Sequence, residues 1–162
     1  MLTNKDAVAV AQGQLTAEVV LLIQPSSLDQ AREMMAKSLH SSVKKIDSMI
    51  KVYYSCQPPA SQVPCFSWEL IKDSFLEFCS KAKVVILPPW VQIEGLTKGE
   101  EELAKIAEAV VSTNPEIQIF AFLRGGTTET AVHRVKNKKG LWAVSGIRSF
   151  ADPTLIKALQ TI

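Results

Sequence analysis

The sequence predicts an α/β fold, a three-layer sandwich built on a five-stranded, mainly parallel sheet of the flavodoxin or Rossmann type. Three observations carry this. Short runs rich in Val, Ile and Leu show little alternation with polar residues, as strands buried on both faces do. Between them lie segments whose apolar residues recur every three or four positions, the mark of a helix with one buried stripe. Strands and helices alternate along the chain, which implies parallel neighbours joined by right-handed crossovers.

The first run, Val19-Val20-Leu21-Leu22-Ile23, is stopped by Gln24-Pro25-Ser26-Ser27. Ser27 with Gln30 forms a capping box, so a helix is expected to follow, its stripe carried by Leu28, Ala31, Met35, Leu39, Val43 and Ile46. Val52 to Tyr54 reads as the second strand, and the three prolines between Gln57 and Pro64 read as a loop. Ser67 can cap a helix buried through Trp68, Ile71, Phe75 and Phe78. Lys83 to Leu87 reads as the third strand, ended by Pro88-Pro89. A second capping box, Thr97 with Glu100, opens a helix carrying Leu103, Ile106, Ala107 and Val110 and ending near Asn114-Pro115. Ile117 to Leu123 and Trp142 to Ile147 read as the last two strands. Asp152-Pro153 supplies an N-cap and a first-turn proline for a closing helix with Leu155, Ile156 and Leu159 inward. Residues 1 to 16 read as an N-terminal extension and 17 to 162 as a single α/β domain.

Composition narrows the function class. With 47% apolar and 21% charged residues the chain is too apolar for a disordered one, and a net charge of +2 does not by itself point to nucleic acid or membrane. The cysteines at 56, 65 and 79 have no CxxC spacing, so no zinc site is expected and reduced thiols fit. The apolar runs are too short to cross a bilayer and the N-terminus lacks a basic leader, so a cytoplasmic location without membrane contact is expected. His133, beside Arg134 in a polar stretch, is expected to be exposed.

In open parallel sheets ligands bind beyond the carboxyl ends of the strands, where strand order reverses. That rule singles out Gln24–Ser27, Ser55–Pro64, Pro88–Gly99 and Arg124–Thr128 as candidate walls. The stretch from Trp68 to Glu100, with Asp73 in its helix, the strand Lys83–Leu87 running into Pro88-Pro89-Trp90, and then Gly95 to Ala104, resembles the nucleoside 2-deoxyribosyltransferase-like family. The junction Ser149-Phe150-Ala151-Asp152 leading into Leu155 and Leu159 is similar to that family's last strand-to-helix turn. The resemblance implies an enzyme acting on the N-glycosyl bond of a nucleoside or nucleotide, a deoxyribosyltransferase or hydrolase that needs no cofactor. By position it makes Glu100 the carboxylate nucleophile, with Glu101 and Glu102 as alternatives in register, and gives Asp73 a role in orienting the base. Trp90 and Tyr53 or Tyr54 would form an aromatic wall beside Gly95, and Ser26 and Ser27 would hold a phosphate or sugar hydroxyl. Relatives of this kind often complete a site across subunits, so the resemblance also implies a homo-oligomer.

Four departures support an alternative. The Gly95-to-Glu100 interval is longer by one residue than the family's usual one, the turn is Pro88-Pro89-Trp90, Lys83 stands where an acid is common, and the loop Gln57–Phe66 has no Asp. The alternative is a noncatalytic nucleotide-fold module for binding or assembly, contacting a protein or nucleic-acid partner through Arg134, Lys136, Lys138 and Lys139.

Overall fold

The computed structural model describes residues 16–54, 68–88, 99–123 and 131–162, with the backbone alone at Leu70, Gly99 and Glu100. Five parallel strands, β1 (Val19–Ile23), β2 (Ile50–Tyr54), β3 (Val84–Leu87), β4 (Gln118–Phe122) and β5 (Val144–Ile147), form one sheet in the order β2-β1-β3-β4-β5. The register sets Leu21 beside Val52 and Ile86, and Ile86 beside Phe120, so the central strands are covered by neighbours and buried throughout. A buried backbone must pair its N–H and C=O groups, and these central strands do so on both sides.

Among the described residues five α-helices cover the sheet: α1 (Leu28–Ser38), α2 (Val43–Met49), α3 (Trp68–Cys79), α4 (Gly99–Thr113) and α5 (Pro153–Gln160). Side chains alternate across the sheet with period two, giving each face its own core. On one face Val20, Leu22, Tyr53, Val85, Leu87 and Ile119 meet Phe75 of α3 and Leu103, Ile106 and Val110 of α4. On the other Leu21, Ile23, Ile86, Phe120 and Ile147 meet Met35 of α1, Ile46 of α2 and Leu155 and Leu159 of α5. The connection from β1 runs one way to β2, whereas those from β2 onward run the other way. Right-handed crossovers therefore put α1 and α2 on one face and α3 and α4 on the opposite one. The fold is the three-layer, flavodoxin-like α/β sandwich, with its strand-order reversal between β1 and β3.

Several local expectations are corrected. The stripe from Leu28 to Ile46 belongs to two helices. His40 adopts a left-handed φ of 52° and closes a Schellman cap, with Ser41 N–H donating to Ala36 O (2.9 Å) and His40 N–H to Lys37 O (3.2 Å). Ser42 then starts α2, its hydroxyl accepting from Lys45 N–H at 3.1 Å. The Ser27–Gln30 capping box does not form. Pro25–Ser27 is already a 3₁₀ turn, Ser27 has helical backbone angles (φ −100°, ψ −7°), and a cap bond needs an extended residue. β2 begins at Ile50, ahead of Val52, and β5 begins at Val144, while Trp142 pairs in an isolated antiparallel bridge with Lys136. His133 is buried, not exposed; its ring Nε2–H donates to the Ala121 carbonyl at 3.1 Å, inside a 3₁₀ turn packed on the sheet. The Asp152 cap and Pro153 start α5 as expected, with Asp152 Oδ1 accepting from Thr154 N–H at 2.9 Å. Residues 1–15, 55–67 with Cys56 and Cys65, 89–98 with Trp90, Gly95 and Thr97, and 124–130 lie outside the described residues, and the expectations placed on them do too.

Among the described residues no helix is long and apolar enough to cross a membrane. Nor do they include a group of three His, Cys, Asp or Glu side chains placed to hold a metal ion.

Candidate functional site

The strand-order reversal has a physical consequence. Where the chain leaves β1 toward one side and β3 toward the other, the connecting segments diverge and leave a crevice at the carboxyl rim. A cavity of about 230 Å³ lies there. Its floor is Leu22 and Ile23 at the end of β1 and Pro88 just beyond β3. One wall is Ser27, Gln30 and Met34 from the 3₁₀ turn and α1; the other is Phe122 at the end of β4 and Arg148, Ser149 and Phe150 after β5. A broader, open depression against Lys37, Ser38, His40 and Ala151 shares the Met34 wall.

Each wall is fixed by local chemistry. The 3₁₀ turn at Pro25 carries the chain directly into α1, so the Ser27 hydroxyl, which makes no cap bond, lines the cavity. Phe122 and Phe150 meet edge to face, ring centroids 4.9 Å apart at 61°, and form an aromatic side. Ser149 Oγ accepts from Ala151 N–H at 3.2 Å, and Asp152 N–H donates to Ser149 O at 3.2 Å. That turn, locked from behind by the Asp152 cap, holds Arg148 to Phe150 in place. Among the described residues lining the cavity, Arg148 is the one ionisable side chain and there is no carboxylate. The site therefore combines an aromatic side, hydroxyl and amide groups, and a cation, which suits a ligand with a planar or apolar part and an anionic part.

The expected site residues divide. Ser27 lines the cavity, and Ser26 is exposed on the turn beside it. Tyr53 lies on the opposite face, 5% exposed beneath α3. Its ring meets Phe75 and Phe78 edge to face, at 5.2 and 6.4 Å, and its hydroxyl is 2.6 Å from Ser74 Oγ. Burial pushes its phenol up to about 12. The Lys51 ammonium sits over the same rings, 5.2 Å from Tyr53 and 5.3 Å from Phe78, with its pKa lowered by burial. Asp73 is exposed on α3, also on the face away from the cavity. Glu100 is the second residue of α4, the helix that follows β3, and its carboxylate lies outside the described residues, as do Trp90 and Gly95. Of its register alternatives, Glu101 is exposed and Glu102 half-buried. The Cys79 thiol is buried and pushed up to about 12 by desolvation, an unreactive core group.

Arg148, Ser149 and Phe122 were not among the residues expected to bind. The signal for them was present, since Arg148-Ser149 directly follows the last strand and the same rim rule applies to it. No family model matches the chain, and no curated protein matches it in sequence.

Proposed function

We propose that this protein acts on the N-glycosyl bond of a nucleoside or nucleotide held in the rim cavity between the ends of β1 and β3. The observation that carries the reading is that cavity, with its Phe122–Phe150 side and Arg148 at the strand-order reversal. At about 230 Å³ it is just below the ~300–1,000 Å³ of clefts that take drug-sized ligands, which favours a sugar phosphate or a single nucleoside over a dinucleotide. Arg148 would pair with a phosphate, Ser27 with a phosphate or sugar hydroxyl, and the phenylalanines would flank the planar or apolar part.

Glu100 supports the chemical step by its place in the first turn of α4, after β3. Its carboxylate attacks the anomeric carbon; the C1′–N bond breaks, and the base leaves with that electron pair and takes up a proton. The resulting glycosyl ester is then attacked at C1′ by water or a second base, which expels the carboxylate.

The test is release of free base from a panel of nucleosides and nucleoside monophosphates, followed by chromatography. The wild-type protein should turn over at least one substrate, and Glu100→Gln should abolish the reaction while the protein stays folded. Arg148→Met should raise KM for a monophosphate more than for the matching nucleoside. Absence of turnover across the panel overturns the reading.

A further inference from the structure

The described residues carry a second feature at the opposite rim, where the chain enters β5. Between residues 131 and 151 lie five of the 18 Lys and Arg residues and none of the 16 Asp and Glu residues. Four of these cations, Arg134, Lys136, Lys138 and Lys139, are exposed and fall on or beside one short hairpin. Among the described residues none of the four has an acidic partner at ion-pair distance. The hairpin also exposes the two large apolar side chains that, among the described residues, stand out from the surface, Leu141 (61%) and Trp142 (64%).

The hairpin is a built element. Lys136 and Trp142 pair across it, and Asn137 N–H donates to Leu141 O at 2.9 Å. Asn137 Oδ1 accepts from both Lys139 N–H (2.9 Å) and Leu141 N–H (3.1 Å), which closes the turn around Lys138 and Lys139. Gly140 takes a φ of +76°, which a side chain would resist. At its base Ala143 N–H donates to Val135 O at 3.0 Å, and Val132, Val135 and Val144 are buried in the core. The adjacent exposed Leu141 and Trp142 side chains on a braced turn leave apolar surface open to a partner.

The chemistry of the patch specifies what it contacts. The Lys136 ammonium lies 4.8 Å from the Trp142 ring centroid, so one ring face carries a cation and the exposed remainder is open to a planar partner. Membrane binding scales with the apolar area inserted, and Leu141 and Trp142 on one short turn offer little of it. A single nucleic-acid strand satisfies both halves, since a base stacks on the indole while phosphates pair with Lys136, Lys138, Lys139 and Arg134. We infer that the 134–142 hairpin is a binding site for single-stranded nucleic acid, with Trp142 as its stacking platform. It lies at the amino end of β5, away from the rim cavity, and stands independently of the glycosyl-bond reading.

The experiment titrates the full chain with fluorescein-labelled oligo(U) and oligo(dT), with a duplex of equal length, and with anionic phospholipid vesicles as separate arms. Anisotropy should report binding to the single strands ahead of the duplex. Trp142→Ala should weaken it at least ~5-fold, with Trp142→Phe recovering part of the loss. Lys138→Gln and Lys139→Gln should each lower the slope of log K against log salt by about 0.7. All three positions are exposed, and an unchanged circular dichroism spectrum and melting midpoint confirm that each variant folds. Absence of binding to either strand overturns the inference. So does binding that is indifferent to Trp142→Ala, or that prefers the duplex or the vesicles.

Discussion

Replacing Asn114 with Ala is the sharpest test of how the face that carries α3 and α4 is held together. Asn114 follows the last residue of α4, and its side-chain amide donates to two carbonyls far away in sequence, Cys79 O and Ala82 O, both at 3.0 Å. Its Oδ1 accepts from Glu116 N–H at 3.1 Å, which fixes the turn into β4. Cys79 is the last residue of α3, so its carbonyl belongs to the group a helix leaves without an intrahelical donor. One side chain thus ties the end of α4 to the α3–β3 turn. Each such bond contributes about 0.5–1.5 kcal/mol net, and leaving a part-buried acceptor unmet adds to the loss. Three bonds put Asn114→Ala at about 2–4 kcal/mol. At a urea slope of ~2 kcal/mol/M this is a midpoint shift of about 1–2 M with the slope unchanged. Asn114→Asp, which keeps the acceptor for Glu116 but turns a charged oxygen toward the two carbonyls, should be at least as destabilising at neutral pH. A midpoint shift below ~0.3 M for Asn114→Ala, in two-state unfolding, would refute the reasoning and mean that water replaces the amide at no loss.

Two further outcomes test the caps and the buried phenol. Ser42→Ala removes a cap bond and should lower stability by about 1 kcal/mol, whereas Ser27→Ala, which removes none, should stay within ~0.5 kcal/mol in the same thermal melts; equal losses would contradict the cap assignment. Tyr53 titrates at about 12 in the folded chain against an ordinary 10.0, so the unfolded chain releases this proton first and stability falls as pH rises from 10 toward 12. Below pH 10 the contribution is complete. Tyr53→Phe should flatten that alkaline decline in denaturant titrations, leaving the part due to Cys79, and an unchanged decline would show that the phenol is not shielded.

How much was legible followed from the range of the interactions involved. Val19–Ile23 and Val84–Leu87 stand out as strands because burial on both faces demands uninterrupted apolar residues, a demand written locally. The Asp152-Pro153 start of α5 is equally local, since the cap bond reaches only to Thr154. The break between α1 and α2 was hidden. Leu39 and Val43 continue a helical stripe, and the left-handed residue that ends the helix is His40 where glycine is the usual signal. The cationic neighbours of His133 predict exposure, but its ring bonds to the Ala121 carbonyl of β4, a contact between elements with no trace in the local pattern.

The candidate site divides in the same way. The rim loop after β1 was identifiable because the position of a strand's carboxyl end can be read from the strand itself, and Ser27 does line the cavity. The residue type of Tyr53 suits an aromatic wall, but alternation along β2 turns it toward α3, on the face opposite the cavity. Which face an edge-strand residue occupies depends on the register with β1, Tyr53 beside Leu22, and no residue of β2 alone specifies that pairing.

Taken alone, the chain's own pattern determined the class of fold: apolar runs too uniform for a one-sided sheet, helical stripes between them, and turn residues at the junctions, all set by each residue's neighbours in sequence. Only the packed molecule decided the order β2-β1-β3-β4-β5, and with it the cavity between β1 and β3, the use of Arg148 and Phe150 as its wall, and the burial of His133 and Tyr53. The physical reason is that strand order and register are settled by contacts between residues far apart in the chain, whose combined burial outweighs any local preference.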